Sequence, residues 1–296
     1  MEPIVECVPN FSEGRDAGVV CAIHQAIGSV ADVRVLDQTM DADHHRSVIT
    51  FAGPPDAVVE AAVRGAAKAV ETIDLNLHRG VHPRLGAVDV IPFVPIRGIT
   101  MAECAAMAKR AGGEIWKRLA LPVYLYGEGR RKLEDVRRGQ FEGLRNSVLV
   151  DESARPDFGG PELHPTAGAA IVGARKVLIA FNVNLNTDNV TIANAIARTI
   201  RTSGGGFPNV KAIGLVLESR GVAQVSMNLT DYEVTPPHVV FQAIERQAAE
   251  YGVSVAGSEI IGLIPRQALE TDGVNLRIEN YRPEMVLEYR LEQTLK

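Results

Sequence analysis

The order in which apolar periodicities change along this chain occurs twice, and that duplication restricts the fold more than any single motif does. The first pass predicts a strand at 3–9, a helix at 15–28, strands at 33–38 and 47–53, a helix at 56–72 and a strand at 87–94. The second predicts a strand at 176–182, a helix at 188–202, strands at 211–218 and 222–229, a helix at 236–250 and a strand at 253–257. Each half opens its second helix with a proline pair, Pro54-Pro55 and Pro236-Pro237, where the fixed φ of proline suits a first turn. Val58, Val59, Ala62, Val63, Ala66, Ala67, Val70 and Ile73 recur at helical spacing, while Glu60, Arg64, Lys68 and Glu71 share the other side. Ser219-Arg220-Gly221 is short enough for a hairpin. The expected fold class is therefore α/β (α+β): two ferredoxin-like βαββαβ subdomains, residues 1–180 and 181–296, packed side by side with a ligand cleft between them.

Between the repeats, 96–175 is additional. Residues 100–119 read as a helix opened by a capping box, Thr100 with Glu103 three residues on. Leu121–Tyr126 reads as a strand extending the first sheet, 132–145 as short helix, 151–168 as an ordered connecting loop, and 283–293 as a closing helix. At 296 residues the chain exceeds one typical core, and 46% hydrophobic with 23% charged residues is ordinary for a soluble globular protein. A net charge of −5, with no basic excess in either half, argues against nucleic acid as a partner. Cys7, Cys21 and Cys104 lack metal or redox spacing and read as small buried thiols. No basic leader and no long apolar run occurs, so the expected protein is cytoplasmic, with no membrane association.

The densest chemistry is His78-Arg79-Gly80-Val81-His82-Pro83-Arg84, running into the apolar segment Ala87–Val94. Gly80 and Pro83 exclude a regular helix, so the cluster sits on the loop feeding a buried strand, where anionic groups and proton transfer are both within its means. A second cluster holds Asp37, Asp41, Asp43, His44, His45 and Arg46. On extended backbone His44 and His45 would point to opposite faces, so no metal site is expected there. Arg46, Arg84 and Arg79 are candidates for carboxylate binding, followed by Arg130, Arg131 and Arg175; Arg137 and Arg138, beside Glu134 and Asp135, read as a solvated helix face.

Five segments taken in order carry a resemblance: Val5–Gly14, Leu36-Asp37, Asp41–Val48, His82–Ala87 and Leu178–Leu185. Together they resemble the glutamate formimidoyltransferase (formiminotransferase) family, in the single-function form without a cyclodeaminase domain. The resemblance covers nearly the whole chain. It implies transfer of a formimino group from N-formimino-L-glutamate to tetrahydrofolate in histidine degradation, with folate as co-substrate, no metal, and a homodimeric cytoplasmic enzyme. It implies His82 as proton donor and acceptor, with Asp37 or Asp41 as the carboxylate assisting it. The stretch His164, Pro165, Thr166, Ala167, Gly168, Ala169, Ala170, Ile171 and Val172 resembles the family's folate-contacting segment, and Asn10, Arg46 and Arg84 complete the expected substrate set. Two positions depart from other members: Thr39 stands where some carry an acid, and Ala167 where some carry an aromatic ring.

The residues leave other activities open. Formyl transfer involving 5-formyl-tetrahydrofolate or N-formyl-glutamate keeps the scaffold and changes the donor. A non-catalytic folate-binding module, or a metal-dependent amidohydrolase built on the Asp37–Arg46 cluster, would use the same residues differently.

Overall fold

A computed structural model describes residues 2–80, 83–127, 131–147, 151–279 and 281–294. The chain forms two compact units, Met1–Arg175 and Lys176–Thr294.

In the first unit, β1 (Ile4–Cys7) and β2 (Asn10–Phe11) are two pieces of one strand, parted at Val8-Pro9 because proline has no N–H for the ladder. Val8 N donates to Pro92 O at 3.3 Å and Ile49 N to Pro9 O at 3.2 Å, keeping both pieces in place. Helix α1 (Ala17–Gly28) starts at Asp16, whose carboxylate accepts from the N–H of Gly18 and Val19. β3 (Arg34–Asp41) and β4 (Arg46–Gly53) form a hairpin, α2 (Pro55–Thr72) follows the first proline pair, and β5 (Val88–Arg97) follows a long loop. Helix α3 (Met101–Leu119) opens with the predicted capping box, both of its bonds being made. β6 (Val123–Tyr126), the short helices α4 (Leu133–Arg137) and α5 (Gln140–Ser147), and β7 (Ala170–Ala174) complete the unit.

The sheet runs β3–β4–β1/β2–β5–β7–β6, antiparallel as far as β5 and parallel beyond it. Its first four positions have the ferredoxin-like order, and the inserted segment adds β7 and β6 at the β5 edge. Val5, Cys7, Ile49 and Phe51 join Val20, Ile23 and Ile27 of α1 and Val58, Ala62 and Ala66 of α2 in one core. Strand alternation puts Glu6, Asn10, Asp37, Asp41, Arg46 and Thr50 on the opposite face.

In the second unit, β8 (Ile179–Leu185), α6 (Val190–Ile200), β9 (Val210–Leu217), β10 (Val222–Leu229), α7 (Pro237–Glu250) and β11 (Val255–Ile261) repeat the order. The sheet is β11–β8–β10–β9, antiparallel throughout, and α8 (Leu287–Thr294) follows it. Phe181, Val183, Leu185, Val225 and Met227 pack with Ile196, Phe241 and Ile244 of the helices. Asn182, Asn184, Gln224 and Glu259 alternate with those apolar residues and occupy the other face.

Several local expectations differ from the structure. The strand expected at 176–182 lies at Ile179–Leu185, and the apolar run before it is the separate strand β7, buried along its length. A central parallel strand is apolar on both sides, so it lacks the alternation that would mark it. The helix expected over 132–145 is divided at Gly139-Gln140, where Gln140 adopts φ +51°. β3 extends to Asp41, so Asp37 and Asp41 are strand residues, and only 42–45 form the turn. Cys7 and Cys104 are buried, but Cys21 is exposed on the outer side of α1.

Candidate active site

The polar centre of the first unit is Asp89 of β5, a carboxylate with no solvent exposure. Its Oδ2 accepts from Arg46 Nη1 at 2.8 Å and from Arg137 Nη2 at 2.6 Å, and its Oδ1 accepts from the N–H of Leu85 at 2.8 Å. Arg46 also donates from Nε to Asn10 Oδ1 at 3.1 Å, and the Asn10 amide donates to Val8 O at 2.9 Å. Burial lowers the Arg46 pKa to about 10, with Asp89 opposing the shift and the neighbouring Arg137 adding to it. Arg137 is thus not on a solvated face: its side chain is 18% exposed, whereas Arg138 is 80% exposed and pairs with Asp135. The break after α4 separates the two arginines, which an unbroken helix would have kept on adjoining surfaces.

On the same sheet face, Asp41 stands opposite Arg46 and Asp37 opposite Thr50. Asp41 Oδ1 accepts from the His44 N–H at 2.8 Å and pairs with His44 Nδ1 at 3.0 Å. Burial alone would raise the Asp41 pKa, yet the His44 bonds hold it below the usual carboxylate value, and the bond to Asp41 raises that of His44. His45 adopts φ +50° in the turn, so the strand geometry expected for the histidine pair does not apply. Its ring faces Glu13 Oε1 at 3.1 Å through Nε2 and Arg79 O at 2.8 Å through Nδ1. Both neighbours are acceptors, so both bonds form together only on a doubly protonated ring. His78, 4% exposed, stacks on that ring at 4.1 Å between centroids and 9° between planes, and its Nε2 lies 2.9 Å from His45 O. Burial pulls the His78 pKa down to about 4.

The loop between α2 and β5 is held at both ends. Leu75 N donates to Thr166 O at 2.8 Å, Ala87 N to Ala167 O at 2.9 Å, and Ala169 N to Leu85 O at 3.3 Å. Gly80 has room only for hydrogen, because a Cβ there would come within 2.6 Å of His44 O. Val81 and His82 lie outside the described residues, as does Arg130. Arg84, the loop's last cation, is almost buried and is already paired: Nη2 reaches Glu142 Oε1 at 2.7 Å and Leu75 O at 3.3 Å.

His164 to Gly168 forms a tight turn closed in both directions by backbone bonds of 2.9 and 3.0 Å, and His164 Nδ1 accepts from Ala167 N at 3.0 Å. Gly168 has φ +69°, and a Cβ there would lie 2.1 Å from Leu85 O, so glycine is required for the turn to meet the loop. Within the expected folate stretch, the side chains of Ala167, Ala169, Ala170, Ile171 and Val172 are core, and His164, Pro165 and Thr166 reach solvent.

Beside this arrangement is a cleft of about 690 Å³ whose lining includes Asn76, Arg79, Arg84, Phe141, Glu142 and Arg145. Arg79 Nη1 donates to the backbone oxygens of Asn76 and His78, at 3.1 and 2.7 Å. Arg145 donates to Asn76 Oδ1 at 3.5 Å and lies over the Phe141 ring at 5.5 Å. These bonds are to neutral groups, unlike those of Arg46 and Arg84, so the cleft retains positive charge. Among the described residues no cluster of His, Cys, Asp and Glu is arranged to hold a metal ion.

Asn10, Arg46 and Asp41 are brought together on the sheet, Arg84 lies in the loop itself, and the His164–Gly168 turn meets that loop through the backbone bonds of Thr166 and Ala167. Asp89 was not anticipated: it lies inside an apolar strand pattern, and a lone acid at such a position is itself the signal that a buried cation must accompany it.

Comparison with known proteins matches the model of the formiminotransferase domain's N-terminal subdomain to residues 4–175 and that of the formiminotransferase domain to 180–282. The chain is 47% identical over 274 residues to glutamate formimidoyltransferase of Streptococcus pyogenes serotype M1, covering 91% of each. It is 44% identical to the Thermoplasma acidophilum protein of the same name, covering 98% of each. It is 43% identical to formimidoyltransferase-cyclodeaminase of Mus musculus, over 91% of this chain and 51% of that one.

Asp89→Ala should destabilise the protein by about 3–5 kcal/mol, because two poorly solvated guanidinium groups lose their counter-charge. Denaturant unfolding checks this, and a loss below about 1 kcal/mol would mean that water compensates both. His78 makes stability pH-dependent in a defined window. Its folded pKa of about 4 lies below the unfolded value near 6.5, so the unfolded state binds more protons between them and stability falls as pH drops from 6.5 to 4. His44 acts with the opposite sign above that window, its raised pKa giving stability that is lost as pH rises. Unfolding of His78→Gln across pH 4–6.5 should therefore show a shallower slope than the parent; equal slopes would refute the assignment.

Proposed function

The chain belongs to the formiminotransferase family, and from that membership we propose that it is a glutamate formimidoyltransferase, moving the formimino group of N-formimino-L-glutamate onto tetrahydrofolate. The observation that carries the reading is similarity to glutamate formimidoyltransferases through both units, with 98% of the chain covered in one comparison. The retained positive charge of the cleft supports it, because the donor carries two carboxylates.

The reaction joins a folate ring nitrogen to the amidine carbon of the donor, passes through a tetrahedral adduct, and expels the glutamate amine. The attacking nitrogen loses a proton and the leaving amine gains one. His82 takes both roles in this proposal, because an imidazole titrating near neutrality can accept and then return the proton. Asp37 and Asp41 are the candidate carboxylates to assist it; Asp41 is already engaged by His44. For the donor's carboxylates the proposal favours Arg79 and Arg145 over Arg46 and Arg84, whose guanidinium groups are already matched by Asp89 and Glu142. Pro165, exposed at the turn beside the loop, and the half-buried His164 and Thr166 are the members of the folate stretch whose side chains can meet the co-substrate. No metal enters this scheme. None of the described helices is long and apolar enough to cross a membrane, and we place the enzyme in the cytoplasm.

Purified protein supplied with N-formimino-L-glutamate and tetrahydrofolate should release glutamate. In that assay His82→Ala should lower kcat by about 10²- to 10⁴-fold, the usual worth of a positioned acid–base group; a loss within about threefold would remove His82 from proton transfer. Arg79→Gln and Arg145→Gln should each raise KM for the donor by an amount equivalent to about 1.5–3 kcal/mol, with little change in KM for folate. If both folded variants keep the parent's KM, the donor's carboxylates are held elsewhere.

A further inference from the structure

A second cleft, of about 450 Å³, lies wholly within the second unit, on the side of its sheet where the helices pack. One wall is the segment that follows α6. The turn at 202–206 is tight: a Cβ at Gly204 would collide with Arg198 O and one at Gly206 with Thr199 O, so the glycines let the chain double back against the helix end. Phe207 and Pro208 leave that turn with their backbone held. Phe207 N donates to Ile200 O at 2.9 Å, Thr202 Oγ1 donates to Phe207 O at 2.8 Å, and the buried Thr235 hydroxyl donates to Pro208 O at 2.7 Å. The Phe207 ring is half-buried against the core and Pro208 is exposed, and with Ala243 of α7 they give the cleft an apolar lining that is fixed before any ligand arrives.

The rest of the lining comes from successive turns of α7 and is charged. Arg246 and Glu250 are four residues apart, on the helix face that also carries Ala243 and Gln247, and both are exposed. Gln247 is engaged by α6 through a hydrogen bond with Thr199. Among the described residues, Arg246 and Glu250 are bonded neither to each other nor to a third group. In α2, by contrast, Glu60 and Arg64 at the same spacing meet at 2.8 Å, and the adjacent Glu245 of α7 pairs with Arg277 at 3.0 Å. Residue order accounts for the difference, because an acid four residues before a base suits a helix better than the reverse. The cleft therefore carries one free guanidinium and one free carboxylate, a helical turn apart, beside an apolar lining.

We propose that this cleft is a binding site for a free aromatic α-amino acid, taken up as the zwitterion. Arg246 meets the α-carboxylate, Glu250 meets the α-ammonium, and the ring of the side chain lies against Phe207 and Pro208. Both charges of such a ligand hang from one carbon, so opposite charges one helical turn apart engage the pair together. Other ligand classes leave a group opposed. A phosphate or a dicarboxylate sets negative charge against Glu250, a simple amine sets positive charge against Arg246, and an internal peptide residue brings neither charge. A cleft of about 450 Å³ is also at the small end of the range for small-molecule sites. The site stands apart from formimino transfer, because none of its residues belongs to the first unit, which carries the chemistry proposed above.

L-Phenylalanine is the probe, titrated calorimetrically into the full chain, and it should bind saturably with a Kd of about 0.1–1 mM, as befits a small site open to solvent. Arg246→Gln and Glu250→Gln, both at exposed positions, should leave the thermal midpoint within a few degrees and should each weaken the probe about 3- to 10-fold. The losses should follow the ligand's charges. Phenethylamine, which has no carboxylate, should bind the parent and Arg246→Gln alike, and 3-phenylpropionate, which has no ammonium, should bind the parent and Glu250→Gln alike. Phe207→Leu keeps an apolar side chain without the flat ring, and should weaken L-phenylalanine more than L-leucine. Absence of saturation in the parent by about 10 mM, or parent-like affinity for L-phenylalanine in either Gln variant, overturns the inference. So does equal affinity for N-acetyl-L-phenylalaninamide, which carries neither charge and would make the cleft a seat for a peptide segment.

Discussion

A carboxylate with no access to water, held by two guanidinium groups and a backbone N–H, is the constraint on which the first unit's polar architecture depends. Asp89 cannot be charged in that position without both Arg46 and Arg137, and neither arginine can be withdrawn from solvent without Asp89. The three side chains come from β5, β4 and α4, and the fourth bond, from Leu85, reaches the end of the loop that precedes β5. One buried charge therefore joins the sheet, an inserted helix and the loop carrying the densest chemistry in the chain.

That wiring also sorts the arginines. Those committed to carboxylates, Arg46, Arg137 and Arg84, are poorly exposed and act as structure. Those bonded to neutral oxygens, Arg79 and Arg145, line an open cleft and keep their field available. The stacked rings of His45 and His78 lie alongside. The His45 ring is placed between two acceptors, and the His78 ring stacked on it is kept neutral by burial. Each sheet in turn places apolar side chains on one face and polar side chains on the other, so the polar groups of both units are supported by continuous strands rather than by loops alone.

Legibility in the sequence followed locality. The capping box at Thr100 and Glu103, the proline pairs before α2 and α7, and the helical spacing of α2 are decided within a few residues, and each occurs in the structure where the spacing puts it. β7 was hidden because a strand buried on both faces carries no period, and its place between β5 and β6 comes from pairing with segments far along the chain. Arg137 reads as surface beside Glu134 and Asp135, yet its partner is 48 residues away. Cys21 fits an apolar pattern, but it is on the outer side of its helix.

By itself the sequence determined the repeated βαββαβ order, the helix starts, the family to which the chain belongs and the residue types available for the chemistry, because period, capping and ordered motifs are one-dimensional properties. The tertiary structure alone decided which charges are spent and which remain. Whether Arg46 meets a substrate or Asp89 and whether His78 titrates near neutrality or near 4 both depend on distance and desolvation. Those quantities arise only when strands remote in sequence are paired and water is excluded between them.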